Sequence, residues 1–468
     1  MDMNSKPKHV AIVVLGDIGR SPRMQYHALS LLENKNYVTL VGYAGEDIIA
    51  ALHDDQFHGF LKVIRFQPYM PSATLKRFLL PVYLMLRLFS ILWGLVYALW
   101  VQVDTNQCPV DCILVQNPPS IPLIFIAYLY TLTQPKKCRP DLVIDWHNLG
   151  FSMFPTRDNH PIRKIAKLYE KHMAPLATGH LCVTKAMKEW LIANFDIQPW
   201  KISELYDRPP EFFRPTTLDD MHDLMMKLRA EMENQCPELK TIRGENETST
   251  VFTEKNMSNV VMKKNRPALV VSSTSWTPDE DFSVLLDALV KLDKISECDD
   301  TFPHVVTVVT GKGPLKNMYE ANIKSLNLKH ISILTLWMES QDYPKLLGCA
   351  DLGISLHVST SGLDLPMKVL DMFGCEVPVC AINFACLNEL VQDGQNGRIF
   401  VSSDDLCSQL LCLLKPERCQ NDGKIGGDLR IYRKNIRRIG RWKDNWTLHA
   451  KDIILPPKEM KDEHQKED

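Results

Sequence analysis

"VAIVVLGDIGRSPRMQYHAL" runs from Val10 to Leu29. Val10–Leu15 is an unbroken apolar run, Gly16 and Gly19 punctuate a turn, and Pro22 opens a stretch with helical spacing. Such a run, turn and helix predict a buried parallel strand feeding the first helix of a doubly wound α/β sheet. Glycines allow a tight turn, and the free N–H groups of a helix start attract an anion. Gly16, Gly19, Arg20, Ser21 and Arg23 are therefore candidate anion contacts, with the arginines suited to a diphosphate. The spacing is not G-x-G-x-x-G and no Walker lysine follows, so the dinucleotide and ATP fingerprints are absent. A plain strand–turn–helix with solvated arginines is the competing reading of the same residues.

The same rhythm recurs along the chain. Short β-branched runs at Tyr37–Gly42, Lys62–Phe66, Cys112–Gln116, Leu142–Trp146 and His180–Val183 alternate with helical stretches. A second series follows at Ala268–Ser272, His304–Thr310, Ile331–Leu334, Leu352–Leu356, Pro378–Ala381 and Gly397–Val401. The expected fold class is α/β, with two Rossmann-like doubly wound domains facing a cleft. Residues 1–215 form the first domain and 266–415 the second. Residues 216–265, rich in charge around Met225–Asn265, read as a polar insertion or mobile linker. A helical segment is expected over 416–455 and a disordered tail over 456–468.

The 468 residues carry 54 Lys and Arg against 56 Asp and Glu, a formal net charge of −2 that gives no basic field for nucleic acid. The 13 cysteines show no C-x-x-C pair and no zinc spacing, which reads as reduced thiols in the cytosol. The polar start "MDMNSKPKH" has no signal-peptide character.

Phe78–Val101, "FLLPVYLMLRLFSILWGLVYALWV", is long enough to cross a bilayer. Arg87 near its middle would cost about 2.5–3.5 kcal/mol, which so many Leu, Phe and Trp could offset. A single span would, however, put strands of one sheet on opposite sides of the membrane. The preferred reading is an interfacial helix, with Lys76, Arg77 and Arg87 at headgroup level and Trp93 and Trp100 as anchors. A buried core helix is the alternative.

"VIDWHNLGFS" (Val143–Ser152) sets Asp145, His147 and Asn148 beyond a strand end, where polar groups face a ligand. His147 could bind phosphate or move a proton. Glu170 reads as structural. In "VVSSTSWTPDEDFSVLLDAL" (Val270–Leu289) a D-x-D pattern, Asp279 to Asp281, suggests a metal. A helix start explains it better, with Thr277 as N-cap, Pro278 at N1 and Glu280 at N3 of a capping box. The turn before it, Ser272, Ser273, Thr274 and Ser275, offers hydroxyls and N–H groups to phosphate. Gly311, Lys312 and Gly313 follow a strand, where glycines permit close ligand approach and the lysine meets a phosphate. In "STSGLDLPMKVLDMFGCEVPVCA" (Ser359–Ala381), Lys368 and Asp371 share one helix face. A carboxylate there can take both hydroxyls of a ribose, while Lys368, Ser361 and Gly362 hold a diphosphate. A structural ion pair between Lys368 and Asp371 is the alternative.

With these segments in order, the chain resembles the GT-B glycosyltransferases, and within them the chitobiosyldiphosphodolichol β-mannosyltransferase family. The matching stretches are Val13–Leu31, Val143–Ser152, Val270–Leu289 and Ser361–Ala381. The resemblance implies transfer of mannose from GDP-mannose to dolichyl-diphosphate-chitobiose, making a β-1,4 bond, as the first mannosylation of the N-glycan precursor on the cytosolic face of the endoplasmic reticulum membrane. Other enzymes of lipid-linked oligosaccharide assembly are then natural partners. The Glu-x7-Glu pattern of GT-B enzymes is only approximated, because Asp371 fits the second acid while Leu363 holds the first position and Asp364 is one step off. Many members carry an N-terminal membrane helix and none is read at the start of this sequence, so the expectation is attachment through Phe78–Val101 or a partner, or a sequence truncated before its anchor.

Inversion in one displacement needs a base on the acceptor hydroxyl and stabilisation of departing GDP. The expected donor contacts are Ser272–Ser275, Gly311–Gly313, Ser361, Gly362, Asp364, Lys368 and Asp371. The acceptor's diphosphate is expected on Gly16, Gly19, Arg20, Ser21 and Arg23, with Asp145 and Asn148 nearby. Asp17 is the first candidate base and His147 the second. No tightly bound cofactor is expected; Mg²⁺ assistance is compatible, though no ligand set is visible. Another GT-B transferase with a lipid-linked acceptor, or a non-catalytic GT-B scaffold, are the competing functions.

Overall fold

In the computed structural model, residues 6–69, 79–103, 108–154, 159–256, 259–278, 280–299, 301–339, 341–359, 361–415 and 426–457 are described. Lys76, Arg77, Phe78, Asp279 and the tail from 458 fall outside them. The chain divides into two compact units, 1–207 with 442–468, and 208–441.

In the first unit Val10–Val14 is fully buried, as a central parallel strand with both faces covered must be. It lies in β1 (His9–Asp17), followed by β2 (Tyr37–Tyr43), β3 (Leu61–Phe66), β4 (Cys112–Asn117), β5 (Asp141–Trp146), β6 (Gly179–Cys182) and β7 (Ile202–Glu204). All pairs are parallel, in the order β3-β2-β1-β4-β5-β6-β7. The order reverses between β1 and β4, so their carboxyl ends form the switch point where ligands bind in such sheets. Helices α1 (Pro22–Glu33), α2 (Leu80–Tyr97), α3 (Leu123–Thr133), α4 (Pro161–Met173) and α5 (Lys185–Phe195) make the crossovers. The C-terminal helices Trp442–His449 and Lys451–Ile454 return to this unit, where Trp446, Ala450 and Ile454 join the core beside Val10, Leu114 and Leu181.

α2 continues as a π-helical turn, Ala98–Val103. Most of it is exposed, including Met85, Phe89 and Trp93, with Tyr83 and Leu95 its buried residues. β3 and β4, on either side of it in sequence, lie in one parallel sheet, so α2 is a crossover that cannot separate them across a bilayer. Exposure also rules against the buried-core alternative.

The second unit holds β10 (Ala268–Ser273), β11 (Val305–Thr310), β12 (Ile331–Leu336), β13 (Leu352–Ser355), β14 (Val379–Ile382) and β15 (Gly397–Phe400), a parallel sheet in the order β12-β11-β10-β13-β14-β15. Before it come α6 (Leu218–Gln235), α7 (Glu238–Arg243) and a small antiparallel pair, β8 (Thr253–Asn256) and β9 (Asn259–Met262). Residues 216–265, expected as a polar insertion or mobile linker, thus carry two helices and a strand pair among the described residues. Met221, Leu224, Met225, Leu228 and Met232 form one stripe of α6 and pack into the core with Leu269, Val306 and Leu346. α8 (Ser283–Ser296), α9 (Lys316–Ser325), α10 (Tyr343–Cys349), α11 (Met367–Gly374), α12 (Ser403–Leu414) and α13 (Gly427–Ile436) complete the unit. α13 stays with this sheet while the next helix leaves it, so 416–455 is divided between two units.

Candidate active site

In the first unit, polar groups converge behind the carboxyl ends of β1 and β5 around Asp145, which is fully buried. Arg23 donates Nε and Nη2 to its two oxygens at 2.8 and 2.9 Å. The Nη1 of Arg23 reaches Leu205 O at 2.8 Å and Asp207 Oδ1 at 2.7 Å. Burial alone would raise the Asp145 carboxyl, but Arg23 and two histidines overcome it and hold it well below the usual range. The sequence placed Arg23 and Asp145 among the acceptor contacts; in the structure each is the other's partner. They lie beneath the surface, locked to each other as a bidentate pair.

Two histidines share Asp145 Oδ2. His27 Nε2 lies 3.1 Å away, and Trp446 Nε1 donates to His27 Nδ1 at 2.9 Å. The indole fixes the tautomer, so His27 carries its proton on Nε2. Burial first of all lowers the pKa of His27, which keeps it neutral. His147 Nε2 lies 3.0 Å from Asp145 Oδ2, its backbone N donates to Asn117 O at 2.8 Å, and its side chain is 23% exposed. An Nε2–H held by the carboxylate leaves Nδ1 with a lone pair. A partly exposed imidazole oriented by a buried acid has the geometry of a general base.

Asp17 has a structural job. Its Oδ1 accepts Gly19 N at 3.0 Å and its Oδ2 accepts Glu46 N at 2.9 Å. It thereby ties the turn after β1 to the loop after β2. A Cβ on Gly19 would stand 2.6 Å from the carbonyl oxygens of Glu46 and Asp47, so glycine is required by that neighbouring loop. Arg20 is exposed and pairs with Glu46 at 2.7 Å. Ser21 Oγ donates to Asp17 O, and Asn148 Oδ1 accepts Leu149 N. A Cβ on Gly16 would make an ordinary contact with Val14 at 3.7 Å. Glu170 is fully buried, accepts Gly150 N at 3.0 Å, and burial pushes its carboxyl up to about 7.

In the second unit the turn after β10 is internally committed. Ser272 Oγ donates to Ile354 O, and Ser273 Oγ lies 3.0 Å from Tyr343 OH. Thr274 N donates to Thr310 O, while Thr274 Oγ1, Ser275 N and Ser275 Oγ all donate to Glu280. The expected phosphate cradle of hydroxyls and amides is therefore redirected inward. The glycines after β11 have the same kind of cause. A Cβ on Gly311 or Gly313 would sit within 1.8 Å of Thr274 O or Ser275 O, so the close approach of the β10 turn requires glycine at both positions. Lys312 Nζ stands 3.5 Å above the Trp337 ring centre.

Glu280 overturns the capping-box reading. α8 begins at Ser283, and its N-cap, Phe282, makes no side-chain cap. The Thr-Pro-x-Glu pattern resembled a cap, but Glu280 turns inward and pairs with Lys368, 88 residues away, and with His357. Lys368 is thus bound to Glu280, not to Asp371. Asp364 accepts from Ser359 Oγ and Ser361 Oγ, and Gly362 N donates to Ser359 Oγ, so this turn too is closed on itself. Asp371 is held apart, and burial raises its carboxyl to about 7.

The glycosyl transferases group 1 family model matches residues 253–421. A human chitobiosyldiphosphodolichol β-mannosyltransferase is 41% identical over 96% of this chain and 93% of its own. The Arabidopsis thaliana UDP-glycosyltransferase TURAN is also 41% identical, over 96% of this chain and 97% of its own. A glycosyltransferase structure from Rickettsia africae superposes with a TM-score of 0.57 at 14% identity, covering 97% of this chain and 100% of that one. Similar enzymes from mouse and Dictyostelium discoideum, at 40% and 37% identity, carry the same mannosyltransferase name as the human relative. Two parallel Rossmann-like sheets and end-to-end likeness agree: the chain belongs to the chitobiosyldiphosphodolichol β-mannosyltransferase family and is a glycosyltransferase of the GT-B fold.

Proposed function

We propose that this protein transfers mannose from GDP-mannose to dolichyl-diphosphate-chitobiose with inversion, at the cytosolic face of the endoplasmic reticulum membrane. The observation that carries the substrates is the likeness to the human enzyme along 96% of the chain. The geometry supports a reading of the chemistry. His147, oriented by Asp145, takes the proton of the acceptor hydroxyl as the new bond forms. Asp17 is the other candidate, and its two amide contacts give it a loop-holding role in either case. Arg20 and the turn around Gly16, Gly19 and Ser21, with Asn148 nearby, meet the acceptor's diphosphate. Lys368 and the head of α11 receive the GDP diphosphate, and Asp371 takes the ribose hydroxyls.

The lipid acceptor calls for a membrane surface, and two elements of the first unit suit one. α2 exposes Met85, Phe89 and Trp93. α4 exposes Ile162, Ile165 and Leu168 along one stripe and Lys164, Lys167 and Lys171 along the next. An apolar stripe beside a basic one is the pattern of a helix lying in a lipid interface. Tyr169 OH accepts Phe125 N of α3 at 3.0 Å, and Trp100 Nε1 donates to Thr133 Oγ1, so α2, α3 and α4 adjoin.

The test is transfer from GDP-mannose to a chitobiosyl-diphosphate lipid, with product linkage read by mannosidase digestion. No transfer by folded protein would sink the proposal. The name of the Arabidopsis relative favours a second reading, a UDP-sugar donor. Faster turnover with a UDP-sugar than with GDP-mannose would establish that one.

A further inference from the structure

A buried anion stands where an anionic ligand is expected. Glu280 is 3% exposed, and both of its oxygens are engaged. Oε2 accepts Thr274 Oγ1 at 2.9 Å, Ser275 N at 2.6 Å and Ser275 Oγ at 2.9 Å. Oε1 accepts Lys368 Nζ and lies 3.5 Å from His357 Nδ1. These partners come from three separate places: the turn after β10, the segment after β13, and the first turn of α11. One carboxylate thus joins the three loops at the carboxyl edge of the sheet.

A lysine ammonium on its four-carbon stem samples many positions unless something holds it. An ammonium carries three N–H donors, and one of them serves Glu280. Lys368 is 29% exposed, so the rest of the group is open to a ligand. Four hydrogen bonds from the β10 turn and Lys368 in turn keep the carboxylate in place, which makes the whole arrangement rigid before any ligand arrives.

We propose that Glu280 is a positioning residue for the sugar donor: it holds the Lys368 ammonium at the head of α11, aimed at the diphosphate of the nucleotide sugar. The proposal rests on the reading of Lys368 as a diphosphate ligand. It makes a prediction opposite to that of a dispensable counter-ion. Removing a mere negative charge beside a diphosphate would tighten binding by Coulomb attraction, whereas removing the residue that aims the lysine weakens it.

The experiment is calorimetric GDP binding to the full chain in four forms: wild type, E280Q, K368M and the double variant. E280Q is expected to weaken GDP by about tenfold. In the K368M background the same change is expected to cost less than about twofold, because its effect passes through the lysine. Calorimetric stoichiometry separates lost affinity from lost folded protein. Unchanged or tighter binding in E280Q, with K368M weakened, overturns the proposal, and so do additive losses. GDP binding indifferent to K368M removes the donor-site reading, and the proposal falls with it. Should E280Q fail to fold, E280D keeps the charge but withdraws it by one methylene. Its expected loss is about threefold, absent in the K368M background.

Discussion

The two units use one device in two ways. Each buries a carboxylate behind the ends of its strands and gives it a cation and a histidine: Asp145 with Arg23 and His147, Glu280 with Lys368 and His357. In the first unit the cation is sealed in, with Arg23 4% exposed, and His147 is the member left within reach. In the second, both Lys368 and His357 keep more than a quarter of their surface, at 29% and 28%. An accessible imidazole on a buried acid can move a proton, whereas an accessible ammonium offers lasting positive charge. Under the roles proposed above for His147 and Lys368, burial of the cation decides which half handles protons and which handles phosphate.

The sharpest way to break this comparison is H147A. Loss of a general base lowers kcat by about 10²–10⁴-fold, while D17A is expected to act mainly on stability through its two amide contacts. If D17N abolishes turnover and H147A does not, the roles are reversed. Next in size is R23M, which takes the buried cation away from Asp145 and leaves it only its two histidines. It is expected to destabilise the fold by about 3–5 kcal/mol, read by denaturant unfolding.

Asp371 gives a third test. With its carboxyl near 7, the ligand-free chain holds a partial proton there at neutral pH. Ribose hydroxyls donate to the ionised form and favour it. GDP affinity should therefore rise as pH increases from 6 to 8, with release of about half a proton at pH 7, measured by calorimetry in buffers of different ionisation heat. D371N should flatten the dependence.

The smallest effect concerns Glu170. Burial raises its carboxyl from 4.5 to about 7, so the folded chain binds a proton that the unfolded chain has already released. Stability is then lost as pH rises through that window. E170Q has nothing to ionise and should be more stable than wild type at pH 8 by about 1–3 kcal/mol, with the advantage shrinking towards pH 4.

The sheets were legible because β-branched runs such as Val305–Thr310 are buried on both faces and carry their own signal. β7 is three residues long and gave none. The stripe of α6 was hidden by the charge around it, since a surface helix shows its apolar face only at helical period. The site was less legible, for one reason throughout. Arg23 looks like a phosphate ligand until Asp145 is found 122 residues later, and Glu280 looks like a cap until Lys368 is found 88 residues later. Sequence shows which groups can pair, but the fold decides which do.

The return of the C-terminal helices to the first unit has a consequence for synthesis. Trp446, which fixes the tautomer of His27, is made only after all of residues 208–441. The residues of the second unit are all made before the first unit's core receives Trp446, Ala450 and Ile454, so the core begun first is the one completed last. A stop codon just before Trp442 would spare Asp145, His147, Glu280 and Lys368. It would nonetheless leave the older half of the protein unfinished, with a buried histidine whose proton has no assigned place.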